Sequence, residues 1–280
     1  MKLYIVCILS LLAIPSAFAD TSALKLGGSL FNNGPLITSI GTGIGGNDES
    51  VLQNNTLSMT SLGTAHNPGL NLRVAEDFTV SGSPWQINSI DLYSYQTGET
   101  ASTITNVNLR IWDGNPNNPA SSIVFGDTTT NLLNATAFSG ILRVDENTMG
   151  TADDRQIAIS NVSVNTQLPP GTYWLDWQSD GSGNAGPFVP HITILGQTTT
   201  GNALISTDNG VAYNNLQDNG TSSNQGLPFE IYGSVVGTGT PTTQSVPTLN
   251  LFSTFILILM LLLFVYMSLF RQAKTNQIRK

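Results

Sequence analysis

The chain has 280 residues, with 18 acidic against 10 basic ones, a formal net charge of −8 and a single cysteine. All the acids lie between Asp20 and Glu230, where the only basic residues are Lys25, Arg73, Arg110, Arg143 and Arg155, so this stretch repels nucleic acid and anionic lipid. One thiol, Cys7, cannot form an intramolecular disulfide, and the part between the two apolar ends must be held by a core of its own.

In chain order, Lys2, the apolar stretch Leu3–Ile14, Pro15 and Ala17-Phe18-Ala19 before Asp20 form the pattern of a secretory signal peptide over residues 1–19. Cleavage after Ala19 removes Cys7. Residues 20–71 are rich in Gly, Asn, Ser and Thr, with short strands expected near Leu36 and Leu57. Gly41–Gly46 has the glycine content of a phosphate loop, but no Lys-Ser/Thr or helix pattern follows, and a turn-rich loop is the better reading.

Residues 72–233 change character. Val74–Val80, Ile87–Gln96, Ile104–Trp112, Ser122–Phe125 and Gly140–Val144 read as short strands. So do Gln156–Val164, Thr172–Gln178, His191–Leu195 and Pro228–Gly233, all cut by Gly, Pro, Asn and Asp. No helical period appears between the ends, so the fold class is all-β, an antiparallel β-sandwich. Alternation puts Val107, Leu109 and Ile111 on one face of their strand, with Asn108, Arg110 and Trp112 on the other. It likewise separates Tyr173, Leu175 and Trp177 from Trp174, Asp176 and Gln178. In Gln156–Asn165 the apolar phase shifts between Ile159 and Val162, which predicts a bulge or bend near Ser160-Asn161.

Residues 234–245 read as a flexible Gly/Thr/Pro linker. Residues 246–280 hold Val246-Pro247-Thr248-Leu249, the apolar run Leu251–Phe270 and the basic residues Arg271, Lys274, Arg279 and Lys280. At about 1.5 Å per residue that run spans roughly 30 Å, the thickness of a bilayer core. The basic end would hold the C-terminus in the cytoplasm and leave the preceding chain outside.

Four residues carry the main binding idea. If Val107, Leu109 and Ile111 face the core, then Arg110, Trp112, Trp174 and Asp176 share the outer face, and two indoles with polar neighbours make a platform for sugar rings. The alternative is that residues 20–71 cover this face and the tryptophans pack beneath them. A structural calcium is a second candidate, with Asp113, Asn115, Asp145, Asp153 and Asp154 as oxygen ligands; plain turns are its alternative. No other cofactor is expected. His66 and His191 lie in no nucleophile motif and lack zinc spacing, so a packing role is the simpler reading. The adjacent acids Glu76-Asp77, Asp145-Glu146 and Asp153-Asp154 leave a glycoside hydrolase open, although neighbours on a strand point to opposite faces.

The tail resembles the IPTL-CTERM protein-sorting signal of Gram-negative bacteria, a relative of PEP-CTERM. Val246 stands for the usual Ile, Pro247, Thr248 and Leu249 match, and Asn250 replaces the usual Ser. The resemblance implies an exosortase-like enzyme as partner, which would cut near the motif and hand the protein to the cell surface or extracellular matrix. The segments Ala75–Val80, Trp85, Tyr95–Thr97, Arg110–Gly114, Gly126–Asn131, Gly171–Asp176 and Leu227–Ile231 resemble a recurrent outer domain of such sorted proteins. That likeness implies a jelly-roll-like sandwich and transfers no catalytic residue. The resulting expectation is a secreted, non-catalytic surface or matrix protein that binds polysaccharide. A secreted polysaccharide-acting enzyme and a purely structural type I membrane protein are the alternatives.

Overall fold

The structure, a computed structural model, describes residues 27–237. The expected signal peptide (1–19), most of the linker, the sorting motif, the apolar run and the basic tail lie outside the described residues. Among the described residues no helix is long and apolar enough to cross a membrane.

The chain is all-β. Its strands are β1 (Gly28–Asn33), β2 (Asp48–Leu52), β3 (Gly63–Ala65), β4 (Arg73–Val80), β5 (Trp85–Ser94), β6 (Ile104–Trp112) and β7 (Ile123–Gly126). After them come β8 (Leu133–Asp145), β9 (Gln156–Leu168), β10 (Gly171–Gly181), β11 (Phe188–Pro190), β12 (Leu204–Ser206), β13 (Asn214–Asn215) and β14 (Phe229–Val235). One six-stranded sheet runs β1-β14-β5-β9-β8-β2, the other β13-β12-β4-β10-β6-β7, and β11 pairs with β3 in a two-stranded piece. Pairing is antiparallel except between β2 and β8, which run parallel.

The two large sheets share one core. Leu109 and Ile111 of β6, Leu175 and Trp177 of β10, Ile87 and Ile90 of β5, and Phe229 of β14 are all buried in it. The face reading of β6 and β10 therefore holds, and its cause is the alternation itself. Aromatic rings join the sheets: Phe78 of β4 and Trp177 of β10 both meet Phe229 of β14 edge-on, at 6.3 and 6.2 Å between centroids. Each such fully buried side chain contributes roughly 1.5–3 kcal/mol over an exposed one. The turn between β9 and β10 is tied by the Tyr173 hydroxyl, which donates to the Pro169 carbonyl at 2.9 Å.

Several expectations differ from the fold. The stretch near Leu57 forms a single helical turn, Asn54–Leu57, and Leu36 lies outside any strand. Residues 27–71 supply β1 and β2 to the first sheet and β3 to the two-stranded piece. At Ser160-Asn161 β9 keeps unbroken register with β5, from Ala158 to Ser163; the irregularity opposite Asn161 falls on β8, between Leu133 and Ala135, and that of β9 lies between Ser163 and Thr166. The apolar residues on both faces of β9 have another cause. Ala158 and Val162 enter the shared core, while Ile157 faces the other way beneath Leu36, with Ile141 and Tyr93 beside it. The N-terminal segment thus covers the back of the first sheet. The strand expected over His191–Leu195 is instead β11, just before it.

Candidate functional site

The outward face of the second sheet gathers the residues singled out above. Strand register sets Trp174 opposite Trp112, Asp176 opposite Arg110 and Gln178 opposite Asn108. Strand β4 brings Arg73 alongside. The result is a charge network centred on Asp176. Its Oδ1 accepts from Arg73 Nε at 2.6 Å, and its Oδ2 from Arg110 Nε at 2.7 Å. Oδ2 also accepts from the Tyr213 hydroxyl at 2.6 Å and from Trp112 Nε1 at 3.1 Å. Arg73 spends further donors on Asn108 Oδ1 at 2.5 Å and Gln178 Oε1 at 2.7 Å. The Arg110 guanidinium lies 4.9 Å over the Trp112 ring.

Arg110, Trp112 and Asp176 are therefore brought together, with Trp174 against their edge, but they do not form an open platform. Asp176 is 0% exposed, Trp174 6% and Arg110 7%, while Trp112 is half-buried. The expectation of two exposed indoles is corrected by this burial. Excluding water strengthens the attraction between the carboxylate and its two guanidiniums, which offsets the cost of removing these charges from solvent. The cover comes from the connection between β12 and β13, through Gly210 and Tyr213, not from the N-terminal segment. Leu204 and Tyr213 pack on Ala75 and Trp174. Asn117, in the β6–β7 loop, clasps Tyr213 through both backbone groups at 2.9 and 3.0 Å. Gly210 has φ +85°, and a Cβ there would collide with Arg110 Nη2, so this close approach requires glycine. Burial, and then the Asp176 charge, pushes the Tyr213 hydroxyl well above the usual tyrosine range, so it stays a donor.

Sequence reasoning missed Arg73 and Tyr213. Tyr213 lies 37 residues from Asp176 in a segment that reads as loop, and no local pattern points to the contact.

The calcium candidates do not converge. Asp113 Oδ1 accepts from Ser122 N, Asn115 Oδ1 from Asn117 N, and Asp145 Oδ1 from Asn147 N, all bonds within or across turns. Asp154 pairs with Arg155 at 3.2 Å, and Asp153 is exposed. Among the described residues no three His, Cys, Asp or Glu side chains group in a way that could hold a metal ion.

Other titratable groups are buried singly. Arg143 has neutral acceptors, the Leu62 carbonyl at 2.7 Å and the Ser50 hydroxyl at 2.8 Å, and burial lowers its pKa to about 10. Glu76 sits between Val74 and Phe78 on the core side of β4 and accepts from Leu227 N at 2.8 Å. Burial pushes its carboxyl up to about 8. Burial lowers His66 to about 4; burial and then the Arg143 charge lower His191 to about 3. Both imidazoles are neutral at physiological pH.

Among the carboxylates, Asp91 stands directly opposite Glu230 across β5 and β14. Asp91 is buried and accepts from Asn161 Nδ2 at 2.7 Å, so an incoming molecule would reach only Glu230. Among the described residues, three hollows on the surface are of ligand size. One of about 590 Å³ is lined by Phe125, Leu132 and Asn165. A second, of about 380 Å³, is lined by Tyr93, Leu36 and Glu230. The third, of about 390 Å³, is bounded by Ser61, Thr64, Asn215 and Asn219. Comparison with protein-family models, with curated proteins and with solved structures returned no match.

Proposed function

We propose that this chain is an exported, non-catalytic surface module, a jelly-roll-like sandwich that binds neutral polysaccharide. Its C-terminal sorting signal would deliver it to a Gram-negative envelope through an exosortase-like enzyme. One observation carries the binding part of this reading: the fold turns its cations inward. The described residues contain no lysine, and of their arginines Arg73 and Arg110 are spent on Asp176, Arg143 is buried, and Arg155 pairs with Asp154. What faces solvent is carboxylate, amide and hydroxyl. Such a surface repels polyanions and offers the donors and acceptors that hydroxyl-rich neutral chains pair with. The export part rests on the two apolar ends of the sequence.

The test is binding of the full-length chain, held in mild detergent, to matched neutral and anionic polysaccharides at low and high salt. Retention of neutral polymers with little salt dependence is the expected outcome. Selective retention of anionic polymers, lost as salt rises, would overturn the reading.

A further inference from the structure

The third hollow differs from the other two in what lines it. Ser61, Thr64, Asn215, Gln217 and Asn219 supply hydroxyls and amides, Ile205 and Leu216 an apolar wall, and no titratable side chain reaches it. At about 390 Å³ it lies near the small end of the ~300–1,000 Å³ typical of ligand sites, room for one ring more than for an extended chain.

Its walls are held from behind. Asp218 is fully buried, and its Oδ2 accepts from Thr60 N at 2.9 Å and Ser61 N at 2.8 Å. Its Oδ1 accepts from Gly220 N and Thr221 N, both at 2.9 Å. One carboxylate therefore fixes the Ser61 wall against the Asn219 wall while facing away from the hollow. Ser61 Oγ accepts from Asn219 N at 3.0 Å, which leaves the serine's own hydrogen for another acceptor.

Thr64 is set by a histidine. His191 Nε2 lies 2.7 Å from Thr64 Oγ1, and His191 Nδ1 is buried with no hydrogen-bond partner. A neutral imidazole carries one N–H. On Nδ1 that hydrogen would be a buried donor with no acceptor, the rarer and costlier defect. On Nε2 it bonds to Thr64 Oγ1. We assign the second tautomer. The threonine oxygen is then an acceptor from within, and its O–H is turned toward the hollow as an oriented donor.

From this arrangement we propose that the hollow is a subsite for one uncharged pyranose residue. Thr64 donates to a ring hydroxyl, the Asn215 and Asn219 amides engage its neighbours, and the C–H face of the sugar lies along Ile205 and Leu216. A charged sugar is disfavoured, because no opposite charge would meet it there. The inference rests on the neutral-polysaccharide reading and gives that reading a place.

Calorimetric titration of the full-length chain in mild detergent tests it. The probes are glucose, galactose, mannose and N-acetylglucosamine oligomers, with oligogalacturonate as the charged control. Thr64→Val should weaken binding of the preferred neutral oligomer by about tenfold or more, and Thr64→Ser should restore it. Asn219→Ala, at an exposed position, should weaken it several-fold without changing the melting curve; if Thr64→Val fails to fold, the Asn219→Ala result decides. Wild-type binding that both variants retain would overturn the subsite and leave the polysaccharide reading standing. Failure of every neutral oligomer to bind the wild type would overturn both, as would binding of the charged control alone.

Discussion

Replacing Asp176 by asparagine removes one negative charge and almost no volume. In the native chain this carboxylate is the shared acceptor of Arg73 and Arg110, of the Trp112 indole N–H and of the Tyr213 hydroxyl. Asparagine leaves two guanidiniums facing each other, Arg73 at 0% side-chain exposure and Arg110 at 9%, and turns an amide N–H₂ toward groups that are themselves donors. Breaking a buried ion pair by deleting one partner costs about 3–5 kcal/mol, mostly because the remaining charge is stranded. For a unit of this size each kcal/mol shifts Tm by roughly 2–4 °C, so Asp176→Asn should lower it by about 6–20 °C. Circular dichroism melts and urea titrations of the two proteins, with exposed Asp153→Asn as control, provide the measurement. The control should stay within about 0.5 kcal/mol. A drop of less than about 3 °C in Asp176→Asn, with an unchanged urea slope, would refute the reasoning, since the network would then add little to stability.

Two further outcomes follow from the buried groups. Glu76, with a folded pKa of about 8 against the ordinary 4.5, holds a proton that the unfolded chain gives up, so its contribution is present at low pH and lost as pH rises between those values. Below pH 6.5 the neutral histidines, lowered to about 4 and about 3, act in the opposite sense, because the unfolded chain takes up protons that the folded one refuses. The Glu76 effect is therefore clean only from pH 6.5 to 8, where urea titrations should show stability falling by up to about 1.4 kcal/mol per pH unit, and Glu76→Gln should flatten that slope. A wild-type curve that is flat or rising there would count against a buried neutral carboxyl. Separately, Gly210→Ala should cost about 1–3 kcal/mol in backbone strain alone, and more through displacement of Arg110, so its melting point should fall; an unchanged Tm would mean that residues 206–213 do not press on the network.

The sequence made some of this legible, and the reasons differ by element. In β6, Val107, Leu109 and Ile111 are fully buried because alternation against a single apolar layer leaves no other register. Tyr173, Leu175 and Trp177 in β10 are buried for the same reason. Alternation says which residues share a face, but it cannot say whether that face is wet. Arg110, Trp112 and Asp176 share theirs, yet they lie under Tyr213, whose approach is a tertiary event with no local signature. The bulge or bend expected at Ser160-Asn161 is misplaced by a similar limit: Ile157 is out of phase only if the strand has a single buried face, and β9 has two, with its own register shift further on, between Ser163 and Thr166. Strands β12 and β13, of three and two residues, are too short for any period to show.

The covers on the two sheets explain each other. Leu36 and its neighbours close the back of β8 and β9, and the connection from β12 to β13, through Gly210 and Tyr213, lies over Arg110, Trp112 and Asp176 on the back of β6 and β10. On the proposed binding reading, with both broad faces partly occupied, recognition of a partner would fall to the rims, where the covering loops meet the sheets. The third hollow is such a place: β3 supplies Thr64, β12 Ile205, β13 Asn215, and the loop leading to β14 supplies Gln217 and Asn219. The buried charges fit the same logic. With no thiol among the described residues, the covering segment is anchored by Tyr213 on Asp176, and the following loop by Asp218 on Thr60 and Ser61. Asp176→Asn should therefore loosen the wall that carries Ile205 and Asn215 while leaving Asp218 and the Ser61–Asn219 wall in place. If the hollow binds sugar, that variant should lose affinity at temperatures well below its own melting point; affinity that survives until global unfolding would show that the anchor and the rim are independent.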